Sequence, residues 1–221
     1  MAPDSASAHE ADSASIPVPD NAPECVVVVP AHNDAGRIAL TVLAARALPG
    51  VRAVVVLESG PSASTDSTRR VAADSGAAVP ADASALAGYA PLPLLFLDAG
   101  RQQRVTEALT LLGPVVAGRA DATVAVGGGR GDAAARLSRR GLERAGLVLP
   151  GVLSGEYCLS HAAWSLSWPP AAGAGALPGA VADLLRAGRT VLPVVLEAPR
   201  EHRARGWRGR RQVARALRER R

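Results

Sequence analysis

The stretch that decides the architecture is Cys25-Val26-Val27-Val28-Val29-Pro30-Ala31-His32-Asn33-Asp34. Its five leading apolar residues, four of them β-branched, show no alternation, so a strand with one wet face does not fit. A short strand covered on both sides does, and Pro30, which cannot donate to a ladder, predicts where it stops. From Asp34 to Ala47 the period changes. Ile38, Val42, Leu43 and Ala45 recur at helical spacing, and Pro49-Gly50 closes the segment.

The same alternation repeats downstream. Val51 to Leu57 reads as a second buried strand, and Ser64 or Thr65 as the cap of a helix running to Ala73 and ended by Gly76. Leu94 to Leu97 and Ala122 to Val126 read as strands, each followed by a helix, Gln103 to Ala117 and Asp132 to Ala145. Gly151 to Ser160 reads as a loop entering a strand, and Trp164 to Ala176 has no clear period. Pro178 to Arg186 is expected as a helix, Thr190 to Leu196 as a strand, and Trp207 onward as an Arg-rich helix with Val213, Ala216 and Leu217 as its apolar stripe. Strands alternating with helices predict an α/β fold, a mostly parallel sheet with helices on both faces. An open sheet of this kind binds ligands beyond the carboxyl ends of its strands, here 30–34, 58–64 and 98–101.

Composition narrows the chemistry. All 25 basic residues of the 221 are Arg. Without Lys, a Walker-type phosphate lysine and a Schiff-base mechanism are excluded. Positions 200–221 carry ten Arg and two Glu, so the remaining chain is mildly acidic although the net charge is +5. Three parts are expected: a disordered lead over 1–23, rich in Ser, Ala, Pro and acids; a domain over 24–199; and a basic helix over 200–221 packed on or beside it. Cys25 and Cys158 lie far apart without a CxxC and read as small buried hydrophobes. No apolar run approaches the ~20 residues needed to span a bilayer, and no basic-then-apolar signal opens the chain, so a cytoplasmic protein is expected. The basic helix also suits peripheral contact with the anionic inner face of a membrane. It carries no DNA-binding motif, and nucleic acid is not the expected partner.

The strand-end residues resemble those of the family 2 glycosyltransferases, which have the GT-A fold. That family opens with a strand ending in Pro-Ala-x-Asn-Glu; this chain has Pro30-Ala31-His32-Asn33-Asp34. Its next strand ends in Asp-Asp-Gly-Ser before a Thr-Asp-x-Thr helix start. Here the corresponding residues are Glu58-Ser59-Gly60-Pro61-Ser62 and Thr65-Asp66-Ser67-Thr68. A later Leu-Phe-Leu-Asp-Ala-Asp strand corresponds to Leu95-Phe96-Leu97-Asp98-Ala99-Gly100. Gly127-Gly128-Gly129-Arg130-Gly131, Leu153-Ser154-Gly155 and His202-Arg203…Arg211-Gln212 match the layout of actinobacterial members.

The resemblance implies a Rossmann-like nucleotide-sugar fold and transfer of a sugar from a nucleoside-diphosphate sugar to a small phosphorylated or polyprenyl-phosphate acceptor. It implies nucleotide-sugar contacts from Pro30, Ala31, Asn33, Asp34, Glu58, Ser59 and Asp98. It places Gly128, Gly129, Ser154, Gly155, Arg203, Arg205 and Arg208 at the diphosphate or acceptor. A divalent cation, Mg²⁺ or Mn²⁺, is implied on Asp98 and His202, although Gly100 replaces the usual metal-binding Asp. Asp98 and Glu156 are the expected catalytic residues, Glu156 as the base for an acceptor hydroxyl. The chain departs from the pattern at Glu58-Ser59 and Gly100, and it lacks the family's Arg-x-x-Gly-Lys-Gly segment. Those departures keep open a catalytically impaired relative that binds or scaffolds. From the residues alone, Asn33 and Asp34 can also be helix-capping groups, and Asp66 a charge favoured by a helix dipole.

Overall fold

The computed structural model describes residues 23–59, 63–128, 133–168, 175–196 and 206–219. Of the lead expected over 1–23, residues 1–22 lie outside these, as do Gly129, His202, Arg203 and Arg205.

Six strands form one sheet: β1 Cys25–Ala31, β2 Val51–Glu58, β3 Leu94–Phe96, β4 Ala122–Gly127, β5 Val152–Leu159 and β6 Val191–Val195, in the order β2-β1-β3-β5-β4-β6. Five run parallel; β5 runs against both its neighbours, β3 and β4. The helices are α1 Ile38–Arg46, α2 Thr68–Asp74, α3 Val105–Ala108, α4 Leu112–Val116, α5 Ala133–Arg144, α6 His161–Leu166, α7 Ala176–Arg186 and α8 Gly206–Glu219.

The valine run of β1 feeds two cores. Cys25, Val27 and Val29 point to the face covered by α1 to α4, with Ile38, Val42, Leu111 and Leu112. Val26 and Val28 point to the other face, with Leu142, Trp164, Val181 and Leu184 from α5 to α7. A period-2 strand between two apolar layers needs apolar residues at every position, which is why no alternation shows. Helix α8 lies on α5 and α7, burying Val213 and Ala216. Gly141 and Gly175 allow this approach: a Cβ at Gly141 would run into the Leu217 side chain, and one at Gly175 would meet the Gln212 carbonyl at 2.8 Å.

Several local expectations are corrected. Pro30 does not stop β1; it sits inside the strand, opposite Leu57 of β2. The backbone groups of Val26 and Val28 bond toward β3, and that ladder ends where Leu97 N–H donates to the Val28 carbonyl. Two residues on, Pro30 has the same orientation, so its missing donor falls where no rung is formed. The helix expected over 103–117 is broken into 3₁₀ turns at Gln102–Arg104 and Leu109–Leu111 with short α segments between. Its apolar residues still face the core. Helix α2 begins at Thr68 rather than after Ser64 or Thr65, because both of those residues serve the loop described next.

Candidate functional site

Chain order places β2 on one side of β1 and β3 on the other, so the connections diverge at the carboxyl ends of β1 and β3. That divergence leaves a crevice in a doubly wound sheet. The loop 31–37, the described residues 58–59 and 63–68, and the loop 97–101 rim it.

The first two loops are laced together. Asn33 has a φ of 56°, a left-handed conformation that Asn tolerates better than most residues. In that conformation its N–H donates to Ser64 Oγ at 3.1 Å, while its Oδ1 accepts the Thr65 N–H at 2.8 Å. The Asp34 N–H donates to Thr68 Oγ1 at 2.8 Å, and Asp34 Oδ2 accepts the His32 N–H at 2.9 Å. Asp66 Oδ1 accepts the Thr68 N–H at 2.9 Å and its Oδ2 the Ala35 N–H at 3.2 Å. Glu58 Oε2 accepts both the N–H and the hydroxyl of Ser64, at 2.8 and 3.0 Å. The hydrogen bond from Thr68, with support from backbone donors, holds the Asp66 carboxyl below the usual carboxylate range. Asn33, Asp34 and Glu58 therefore shape the rim through bonds within the protein, and Ser59 is exposed beside them.

The third loop carries Asp98. Its Oδ1 accepts the Gly100 N–H at 2.9 Å, and the Thr41 hydroxyl of α1 donates to the Ala99 carbonyl at 2.7 Å, pinning the turn to the helix. Gly100 is not an empty position. A Cβ built there would lie 2.9 Å from Arg37 Nη1, while Arg37 Nη2 is bonded to Asp34 Oδ1. The missing carboxylate is thus replaced in space by a guanidinium, from a residue that sequence reasoning did not single out.

Strand β5, running the other way, brings its start to the same edge. Phe96 stands opposite Tyr157, with the rings stacked at 4.3 Å, so Glu156 falls just beyond the end of β3. Between Val124 and Val126 the β4–β5 register jumps from Tyr157 to Leu153, and Gly155 at φ 107° absorbs the bulge. This turns Ser154 and Glu156 into the protein. Glu156 is 1% exposed; its Oε2 accepts the Ser154 hydroxyl at 2.5 Å and its Oε1 lies 3.5 Å from Arg101 Nη1. Glu156, expected as the base for an acceptor hydroxyl, is held inside the protein on Ser154 and Arg101. What it touches is Arg101, whose side chain is 14% exposed. Pro30 and Ala31 are the last two residues of β1, Gly128 is exposed at the end of β4, and Arg208 falls on α8.

Among the described residues, no three His, Cys, Asp or Glu side chains gather as a metal cluster. Asp98 is the carboxylate at the end of β3. One carboxylate together with diphosphate oxygens and water is a hard-oxygen set that suits Mg²⁺ or Mn²⁺. Among the same residues, no helix is long and apolar enough to cross a membrane.

No family model and no curated protein sequence matches the chain. Solved structures do. Glucosyl-3-phosphoglycerate synthase from Mycobacterium tuberculosis, crystallised with Mn²⁺, UDP-glucose and phosphoglyceric acid, is 27% identical with a TM-score of 0.69, over 90% of this chain and 79% of that one. The same synthase with Mg²⁺ and UDP is 28% identical at the same TM-score and coverage. A further mycobacterial protein is 25% identical with a TM-score of 0.69, over 90% of this chain and 74% of that one. The chain thus shares the GT-A fold of these synthases, and its strand-end motifs resemble those of the family 2 glycosyltransferases.

Proposed function

We propose that the chain transfers a sugar from a nucleoside-diphosphate sugar to a small phosphorylated acceptor. The observation that carries this reading is the crevice between β1 and β3, rimmed by the Asn33 loop, the Glu58 loop and Asp98, in a fold that a synthase using UDP-glucose and phosphoglycerate shares at 27% identity. UDP-glucose is accordingly the first donor to assay and phosphoglycerate the first acceptor. Polyprenyl phosphate is the second acceptor, since it presents the same phosphate chemistry and the basic helix α8 suits an anionic surface.

In the reaction the acceptor oxygen bonds to the anomeric carbon, the bond from that carbon to the diphosphate breaks, and the diphosphate leaves with its charge. The chain's part is to hold the nucleotide between the first two loops and to meet that charge at the end of β3. Asp98, with His202 from outside the described residues, would hold a divalent cation, which supplies charge stabilisation at the departing diphosphate. Arg101, held by Glu156, presents a cation to a phosphate of donor or acceptor, and a guanidinium can do this with two parallel hydrogen bonds. Ser154 and Gly155 set the geometry of that pair. Gly128, Gly129, Arg203, Arg205 and Arg208 remain candidates for the acceptor phosphate.

Two observations favour a second reading, an impaired relative that binds without turnover: position 100 offers no carboxylate, and Asn33, Asp34 and Glu58 bond within the protein. The test separates the two. UDP-, GDP- and ADP-sugars are mixed with the protein, Mg²⁺ or Mn²⁺ and each acceptor, and thermal shift is followed together with nucleotide release. Metal-dependent release that Asp98→Ala abolishes is expected. Binding without release supports the impaired relative, and no binding of any donor refutes both.

A further inference from the structure

We infer that Arg37 is a diphosphate-binding residue, a fixed cation standing where the resemblance leads one to expect a second metal-binding carboxylate. The inference rests on the nucleotide-sugar reading above and adds a binding residue to it.

Three observations meet at this point. Arg37 Nη1 lies 2.9 Å from where a Cβ on Gly100 would be, so a side chain at position 100 would push the guanidinium from its present place. Arg37 Nη2 is bonded to Asp34, whose side chain is 8% exposed, so the guanidinium is anchored by one edge to a buried carboxylate. The Gly100 N–H bonds to Asp98 Oδ1 at 2.9 Å, so the guanidinium and the Asp98 carboxylate converge on the same turn. Anchoring fixes the group's orientation without hiding it: the Arg37 side chain is 52% exposed. A guanidinium has five N–H donors in a rigid fork matched to phosphate oxygens, and one tethered edge leaves the other nitrogen to a ligand.

The electrostatic consequence follows from the exchange of groups. Two carboxylates under a divalent cation leave little net charge for a diphosphate to meet, so binding depends on the metal. With Asp34 counted, Asp98 and the anchored Arg leave the metal-free site less negative than a second carboxylate would, so it repels a diphosphate less. Diphosphate binding in this chain is therefore expected to persist when metal is withdrawn.

The test is calorimetric titration of the full chain with UDP and with UMP, or their guanine counterparts if the donor panel selects guanine, each in Mn²⁺ and in EDTA. The wild type binds the diphosphate in EDTA. Arg37→Gln, which can still donate a hydrogen bond to Asp34, weakens the diphosphate roughly tenfold or more in EDTA, as expected for losing a charged hydrogen bond, and leaves the monophosphate unchanged. Gly100→Ala, which displaces Nη1 without removing the Asp34 contact, weakens it in the same direction and serves if Arg37→Gln does not fold. Equal binding of the diphosphate by wild type and both variants overturns the inference while leaving the proposed function intact. Equal loss of diphosphate and monophosphate also overturns it, since a structural role does not distinguish them. Absence of binding to any nucleotide by the wild type, with metal present, overturns both readings.

Discussion

Glu156 offers the sharpest test of how the crevice is built. Replacing it with Ala removes a carboxylate that is 1% exposed, strips the Ser154 hydroxyl of an acceptor at 2.5 Å, and takes from Arg101 a partner at 3.5 Å. Breaking a buried ion pair from one side costs about 3–5 kcal/mol. The 3.5 Å separation, wide for a charged hydrogen bond, points to the lower part of that range, so about 3 kcal/mol is expected for Glu156→Ala. In a domain of this size that is a fall in melting temperature of roughly 6–12 °C. Glu156→Gln keeps the volume and an acceptor for Ser154 but removes the charge, and is expected to cost about half as much. The assay is urea unfolding of wild type, Glu156→Gln, Arg101→Met and the double variant. Coupling of about 1 kcal/mol or more between the two positions is expected, well outside the ~0.5 kcal/mol within which independent sites add. Additive effects, or a Glu156→Gln variant as stable as the wild type, would refute the positioning role. A Glu156→Gln variant with full stability and no turnover would restore the carboxylate to the acceptor.

Three further outcomes are expected. Asn33→Ala loses the acceptor for Thr65 and forces a left-handed backbone on Ala, for about 1–2 kcal/mol of destabilisation in chemical unfolding, whereas Asn33→Gly retains the backbone and costs less; equal costs would show that the backbone conformation is unimportant. The Asp66 carboxyl is held below its ordinary value of 3.8, so it contributes stability that is complete above that pH and is lost as pH falls through its lower folded-state value. The stability gap between wild type and Asp66→Ala should therefore be flat from neutral pH down to about 5 and close only in acid; a gap that closes above pH 5 contradicts the assignment. Burial pushes the Cys25 thiol up to about 12 and raises Cys158 as well, so neither should react with a thiol reagent at pH 8 until the protein unfolds, and labelling of the native protein would disprove their burial.

Much of the fold was legible because it was written in short-range pattern. The valine run, the helical spacing of Ile38 and Val42, and the order of strands and helices each depend on neighbours a few residues away. The direction of β5 was not legible, since nothing within 152–159 says which way a strand will lie beside partners some 30 and 60 positions earlier. Helix 103–117 was overread because Val105, Ala108, Leu111, Leu112 and Val115 keep one face apolar whether the bonds between them are α or 3₁₀. Ser64 reads as a cap because Ser favours both caps and side-chain bonds to loops, and here Glu58 and Asn33 claim it. At the site, Asp98 and the loop motifs were found from local sequence. Arg37 was missed because its meaning depends on a glycine 63 positions away. The available signal was a pairing: an Arg in the first loop and a glycine in the third where the resembled family has an aspartate.

Pro30 gives the crevice a covalent guarantee. Sheets tend to zip to the end of their shorter strand, and any other residue at this position would offer one more donor toward β3. With that donor absent, β1 continues against β2 alone while the opposite edge is left to diverge. The opening beside Asp98 is then held apart by the chain's own chemistry, before any nucleotide arrives to wedge it.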